Sequence, residues 1–125
     1  MTVFEGLFLS HVIGDWLLQT EWQAINKKIS WPALLTHILI YHALMLAVLL
    51  SYLHLPTFPS VVAVGILAVF HAILDRQSVV QWTMKALRLV VTREPERWLH
   101  VAIDQSLHLV SLGIAAHFLI QAANR

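Results

Sequence analysis

Three pairs of histidine and aspartate, each four residues apart, are the feature of this sequence best suited to chemistry. Residues four apart lie on one face of a helix, so each helix would present an imidazole and a carboxylate to the same side. Histidine nitrogens and carboxylate oxygens bind zinc, manganese and iron. The spacing therefore predicts a divalent-metal site, with zinc as the preferred ion and manganese or iron as alternatives. The pairs are His11/Asp15, His71/Asp75 and Asp104/His108.

The predicted ligand set draws on four helices. The candidate ligands are His11, Asp15, His37, His71, Asp75, Asp104 and His108. The three aspartates are also candidates for catalysis, because a carboxylate that does not bind the metal can act as a general base. Gln19 and Gln105 adjoin the aspartates and are expected to hydrogen-bond to the ligands. His42 lies five residues after His37, about 140° round the helix, and is expected to face elsewhere.

The order within each pair predicts a common depth. Histidine precedes aspartate in the first and third segments and follows it in the last. The last segment should run in the opposite direction, so the reversal brings all three aspartates nearer one end. At about 1.5 Å per residue, Asp15 and Asp104 would lie roughly 7 Å inside that end of their helices. A different interpretation stays open: the histidine and aspartate of each pair could simply hydrogen-bond to each other, and polar side chains also hold membrane helices together.

The composition indicates the solvent in which these helices lie. The chain has 125 residues, of which 58% are hydrophobic and 12% charged, with a formal net charge of +1. So few charges cannot cover a small water-soluble core. The composition argues against a soluble enzyme, a disordered tail and a nucleic-acid binder, and it predicts an integral membrane protein. The absence of cysteine excludes disulfides and thiolate ligands.

We predict an all-α fold in which one domain, residues 1–125, forms a bundle of four transmembrane helices. The apolar stretches are residues 3–20, 33–55, 59–80 and 99–122. The first is not expected to be a signal peptide, because it carries Glu5 and Asp15 and has no basic start. Between the third and fourth, residues 77–92 predict an amphipathic helix in the membrane interface. Its apolar stripe is Val80, Met84, Leu87 and Val91, and its polar stripe is Gln81, Lys85, Arg88 and Thr92.

Lysine and arginine positions predict the orientation. Seven of the eight lie in the first and third connections, and Arg125 is the eighth. The rule that basic loops stay inside makes both connections cytoplasmic and directs both termini outward. The tryptophans flanking that side fit interfacial anchors; they are Trp22, Trp31, Trp82 and Trp98.

These motifs resemble those of the DUF3307 family of small bacterial inner-membrane proteins, over nearly the whole chain. The first motif is the most specific and comprises residues 11–20, Trp22 and the run Asn26, Lys27 and Lys28. His37, the His71/Asp75 pair and the run from Asp104 and Gln105 to His108 also fit the family. The resemblance implies the membrane topology and the polar site, but no reaction. A looser similarity to membrane-bound metal-dependent hydrolases is an analogy of fold alone.

Three functions follow from this pattern as hypotheses. The first is a metal-dependent hydrolase of a lipid or lipid-linked substrate at the cytoplasmic leaflet, in which the metal activates water. The second is a binding or transport protein for a divalent cation or protons, which with four spans would need to be a homo-oligomer. The third is a structural small membrane subunit. The expected partners are membrane lipid and a metal ion, without nucleic acid.

Overall fold

The computed structural model describes residues 1–87 and 97–124, and this part of the chain is helical without any strand. Two helices end in a wider π-helical turn. The elements, in chain order, are α1 (Val3–Val12) with the π turn Ile13–Leu17, α2 (Glu21–Asn26), α3 (Trp31–Ala47) with the π turn Val48–Tyr52, α4 (Thr57–Asp75), α5 (Ser78–Ala86) and α6 (Arg97–Ala123).

Three helices are long and apolar enough to cross a membrane. They are Trp31–Tyr52, Thr57–Asp75 and Arg97–Ala123. Each corresponds to one of the predicted spans, and together they make the chain consistent with a membrane protein. The side of the membrane that each end faces, and the predicted bacterial inner membrane, stay predictions.

The first predicted span is shorter in the structure than in the sequence pattern. Thr2 and Glu5 form a capping box that starts α1, and the following π turn ends at Leu17. The 15 residues of Val3–Leu17 extend roughly 22 Å, less than the ~30 Å of a hydrocarbon core. A second capping box, made by Thr20 and Gln23, then starts α2. The prediction of a fourth transmembrane helix is therefore not confirmed.

Helix α5 covers only part of the predicted interfacial segment. Val80 and Met84 are buried, and α5 contacts α4 and α6, so this side of its apolar stripe packs inside the protein. Leu87, from the same stripe, is exposed. The remaining predicted members, Arg88, Val91 and Thr92, lie outside the described residues. A position in the membrane interface stays a prediction.

The core joins α1, α3, α4 and α6 through apolar side chains on one half of their length. Its fully buried members include Leu7, Met45, Leu49 and Leu112. Gly14 lets α1 approach α3 closely: a Cβ there would lie 2.6 Å from Cδ2 of Tyr41 and 3.3 Å from its Cα. Only glycine allows this contact without a shift. The contact fixes the position of the next residue, Asp15.

Candidate metal centre

Three ligand atoms converge in the interior of the protein, at the end of the helices next to the charged loops. Nε2 of His37 lies 3.1 Å from Nε2 of His71. Oδ2 of Asp75 lies 3.4 Å from the first nitrogen and 3.2 Å from the second. All three side chains are at most 3% exposed. The three atoms thus form a nearly equilateral triangle between α3 and α4.

The size of this triangle matches a metal's coordination shell. Ligands at 2.0–2.1 Å from a tetrahedral zinc ion lie roughly 3.3 Å from one another. Hydrogen bonding explains the triangle less well, because both imidazoles would need a proton on Nε2 to donate to the carboxylates. The two N–H groups would then oppose each other across 3.1 Å. A cation between the three atoms removes that conflict.

Asp15 adds a second carboxylate from the π turn after α1. Its Oδ1 lies 3.2 Å from Nε2 of His37, and Asp15, His37 and His71 each offer a ligand atom within 4.8 Å of the others. Its Oδ2 accepts a hydrogen bond of 3.0 Å from Nε2 of Gln105. Single π turns are frequent at functional sites, because the extra residue alters the direction of nearby side chains. Asp15 is therefore held in place from two sides.

His108 presents a free ring nitrogen to the same cluster. Its Nδ1 donates to the backbone oxygen of Asp104 at 2.8 Å, an arrangement common in metal-binding histidines. Its Nε2 is buried, has no hydrogen-bond partner among the described residues, and lies 3.9 Å from Oδ1 of Asp75. His71, Asp75 and His108 form a second group with ligand atoms within 4.8 Å. His108 is thus placed to add a ligand.

His11 lies beside the cluster with both ring nitrogens already bonded. Its Nε2 donates to Oε1 of Gln105 at 2.9 Å, and its Nδ1 accepts from the Tyr41 hydroxyl at 2.8 Å. Its ring stacks against that of His108, with centroids 5.5 Å apart. This predicted ligand therefore orients Gln105 and Tyr41 in the structure and does not join either metal-capable group.

Asp104 is also outside the two groups. Its carboxylate accepts hydrogen bonds from Nε2 of Gln77 at 3.0 Å and Nε2 of Gln105 at 3.2 Å. Its side chain is 14% exposed, more than Asp15 or Asp75. Gln19 was predicted to hydrogen-bond to a ligand side chain, but it donates to the backbone oxygen of Asp15 instead. Gln105 contacts both carboxylates, as its place in the motif predicts.

Lys27 is a site residue that the sequence reasoning treated mainly as part of a basic loop. Its Nζ lies 3.2 Å from Oδ1 of Asp15 and 3.0 Å from Oδ1 of Asp75, and the residue is buried. Burial acts to lower the pKa of this ammonium, but the two carboxylates outweigh it and raise the pKa above its usual value. One ammonium against two carboxylates leaves one negative charge uncompensated. The position of Lys27 in the loop that follows the first histidine–aspartate pair was the available signal.

Two aromatic neighbours were also not predicted. Tyr41 packs edge-on against His71, with ring centroids 4.3 Å apart, and closes the apolar side of the cluster. His42 belongs to neither metal-capable group, in line with its expected angle from His37, but it is buried and its ring centroid lies 5.3 Å from that of His71. Its Nδ1 bonds to the backbone oxygen of Ile38. His71 on α4 reaches across to both faces of α3, which an angle on one helix cannot show.

The fold and site together define a helical protein with membrane-spanning-capable helices around a buried histidine–aspartate cluster. A family model described as a protein of unknown function (DUF3307) matches residues 3–125. The chain belongs to the DUF3307 family, as its motifs predicted. Comparison with curated proteins gave no significant match, and comparison with solved structures gave none either.

Proposed function

We propose that this protein is a membrane-embedded, metal-dependent hydrolase of a lipid or lipid-linked substrate at the cytoplasmic leaflet. The observation that carries the proposal is the buried triangle of His37, His71 and Asp75, with edges of 3.1–3.4 Å. Two imidazoles and one carboxylate are a catalytic zinc ligand set, since three protein ligands leave the fourth position for water or substrate.

The surrounding residues supply the other groups that hydrolysis needs. A divalent ion in the triangle would activate water and polarise a carbonyl or phosphoryl oxygen. Asp15, 3.2 Å from His37, is placed to take the proton of the attacking water. Gln105 donates a hydrogen bond to Asp15, and Lys27 forms an ion pair with it, so the position of this carboxylate is fixed. The water oxygen would bond to the carbonyl carbon or phosphorus as the bond from that atom to the leaving oxygen breaks, and the leaving oxygen would take up the proton that Asp15 had accepted from the water.

A lipid substrate is favoured by the level at which the site lies. Five tryptophans near the charged loops are more than half exposed, as is typical of a membrane–water interface. They are Trp16, Trp22, Trp31, Trp82 and Trp98. With this belt at the membrane surface, the cluster would lie just inside it, near the bonds that join lipid head groups to acyl chains.

Transport is the weaker candidate because a buried apolar layer lies between the cluster, with its neighbours Tyr41 and His42, and the other end of the helices. Leu7, Met45, Leu67 and Leu112 lie four residues beyond His11, Tyr41, His71 and His108, respectively. Each is at most 5% exposed and belongs to the core. A cation or proton leaving the cluster toward the other end would have to cross this layer, where the described residues offer no polar route.

The metal is tested first, by elemental mass spectrometry on detergent-purified protein. We expect near-stoichiometric zinc, manganese or iron in the wild type and loss of that metal in His37→Ala and in Asp75→Asn. The matched control is His117→Ala, an exposed histidine on α6 outside the site, which should keep its metal. Absence of metal from the wild type, after reconstitution with each of the three ions, would refute the proposal.

A further inference from the structure

A long apolar groove lies between α4 and α6 on the outer face of the protein. Its volume is about 460 Å³. Leu67, Leu74 and Ala115 are buried at its floor, whereas Phe70, Val110 and Phe118 are exposed at its rim. Nearly all of its surface is apolar, so its occupant is hydrocarbon and not a polar segment.

One end of this groove lies on the same turns of α4 and α6 as the candidate metal centre, whose side chains are buried inside the bundle. Leu74 and Leu107 line the groove, and they precede Asp75 and His108 directly in the chain. Val79 of α5 also lines it. A chain lying in the groove would therefore place whatever is attached to its end at the level of the histidine–aspartate cluster.

The length of the groove fits one leaflet of a bilayer. Its lining on α4 runs over residues 63–74, which at about 1.5 Å per residue spans roughly 16 Å. Half of a ~30 Å hydrocarbon core is about 15 Å. The groove has the length of an acyl chain in a single leaflet and is too short for a membrane-spanning helix.

The charges at the site end select the head group. All five described lysines and arginines lie at this end of the helices, and none of those described lies at the other end. They are Lys27, Lys28, Arg76, Lys85 and Arg97. Lys27 is buried against Asp15 and Asp75, whereas Lys28, Lys85 and Arg97 are exposed, with Glu21 as the exposed acidic residue among those described at this end. Basic residues at this level attract anionic lipids, at about 1 kcal/mol for each residue near the surface. Charge complementarity thus favours an anionic phospholipid over a neutral one.

We propose that the α4/α6 groove binds one acyl chain of an anionic phospholipid and presents its ester or phosphate to the metal centre. The reaction at that ester or phosphate rests on the proposed hydrolase function, whereas the binding of the chain does not. The groove sets the substrate class: a lipid with a full-length acyl chain. The cluster alone would not distinguish such a lipid from a short-chain ester.

The test uses vesicles of phosphatidylcholine that contain phosphatidylglycerol with a diazirine in one acyl chain. After illumination, mass spectrometry maps the labelled residues of the reconstituted full-length protein. We expect α4 and α6 groove residues to be labelled severalfold more than Leu35 and Leu39, which are exposed on α3. Ala115→Phe at the floor and Val110→Trp at the rim should lower this labelling, and Leu39→Trp is the matched control.

Three results would overturn the proposal. Equal labelling of α3, α4 and α6 would mean ordinary surrounding lipid, and links between two protein copies through the groove would mean a dimer interface. Equal labelling by a phosphatidylcholine that carries the same diazirine would contradict the preference for an anionic head group. The same mapping with the metal removed and with His37→Ala separates the proposals, since groove labelling should persist even if the protein binds no metal.

Discussion

The two halves of this helical bundle are built from the same four helices, but one has an apolar interior and the other a polar interior. Toward the end that carries Glu5, the side chains of Leu7, Met45, Leu49 and Leu112 are fully buried and form a continuous apolar core. One turn away, the interior holds histidines, two aspartates and a lysine. There, both oxygens of Asp75 lack a well-aligned hydrogen bond among the described residues.

This contrast shows where stability and function reside. Close packing of apolar side chains stabilises the bundle without directing any chemistry. Buried polar atoms without partners cost stability, so a protein retains them where a ligand completes them or a reaction needs them. The apolar half holds the helices in position, and the polar half depends on that position to bring His37, His71 and Asp75 together.

The largest effect on stability is expected from removing the Lys27 ammonium group, which lies in the polar half. Lys27→Met leaves Asp15 and Asp75 buried without their ammonium, which should cost roughly 3–5 kcal/mol in the metal-free protein. Saturating zinc should recover much of this free energy, because it supplies positive charge at the same carboxylates. Unfolding in mixed micelles, with and without zinc, measures both quantities.

The control for that variant is Lys28→Met, since Lys28 is exposed and should change stability by less than about 0.5 kcal/mol. If Lys27→Met is as stable as the wild type without metal, the polar half is not an electrostatic cluster as described.

A smaller effect is expected in the apolar half. Leu112→Ala removes a side chain that is 2% exposed and should lower the free energy of unfolding by about 3 kcal/mol. The metal content should stay at its wild-type value, because Leu112 contacts the core and supplies no ligand atom. Elemental analysis beside unfolding measures both. Leu39→Ala, on an exposed part of α3, is the control, and metal loss in Leu112→Ala would show that the halves are not separable.

The smallest effect is expected where the two halves meet. Gly14→Ala adds a Cβ 2.6 Å from Cδ2 of Tyr41, and the shift that follows should cost about 2 kcal/mol. It should also weaken metal binding, because Asp15 follows Gly14 directly. Zinc titration and unfolding detect the two changes. Gly113→Ala, which meets nothing within 4 Å, should leave both unchanged; an equal effect of the two substitutions would exclude the proposed contact as the cause.

Much of the helical fold could be predicted because hydrophobic length and helical period are local properties. Three predicted spans correspond to long apolar helices, and the His71/Asp75 pair faces one site. The first span was predicted too long because its helix ends at Leu17 and the capping box of Thr20 starts a separate helix, α2. Hydropathy averages over such caps and does not detect them.

The sequence by itself determined that the helices are long and apolar enough to cross a membrane, that the fold is helical, and which residue types share a helix face. Composition and a period of 3.6 residues decide these properties. Only the tertiary structure decided how the faces meet. It placed Lys27 between Asp15 and Asp75, and it brought Gln105 and Tyr41 within hydrogen-bonding distance of His11. It also brought His37 into contact with His71, 34 positions away in the chain. These contacts depend on the rotation and separation of packed helices, which are set by the sum of many apolar contacts and not by any local spacing.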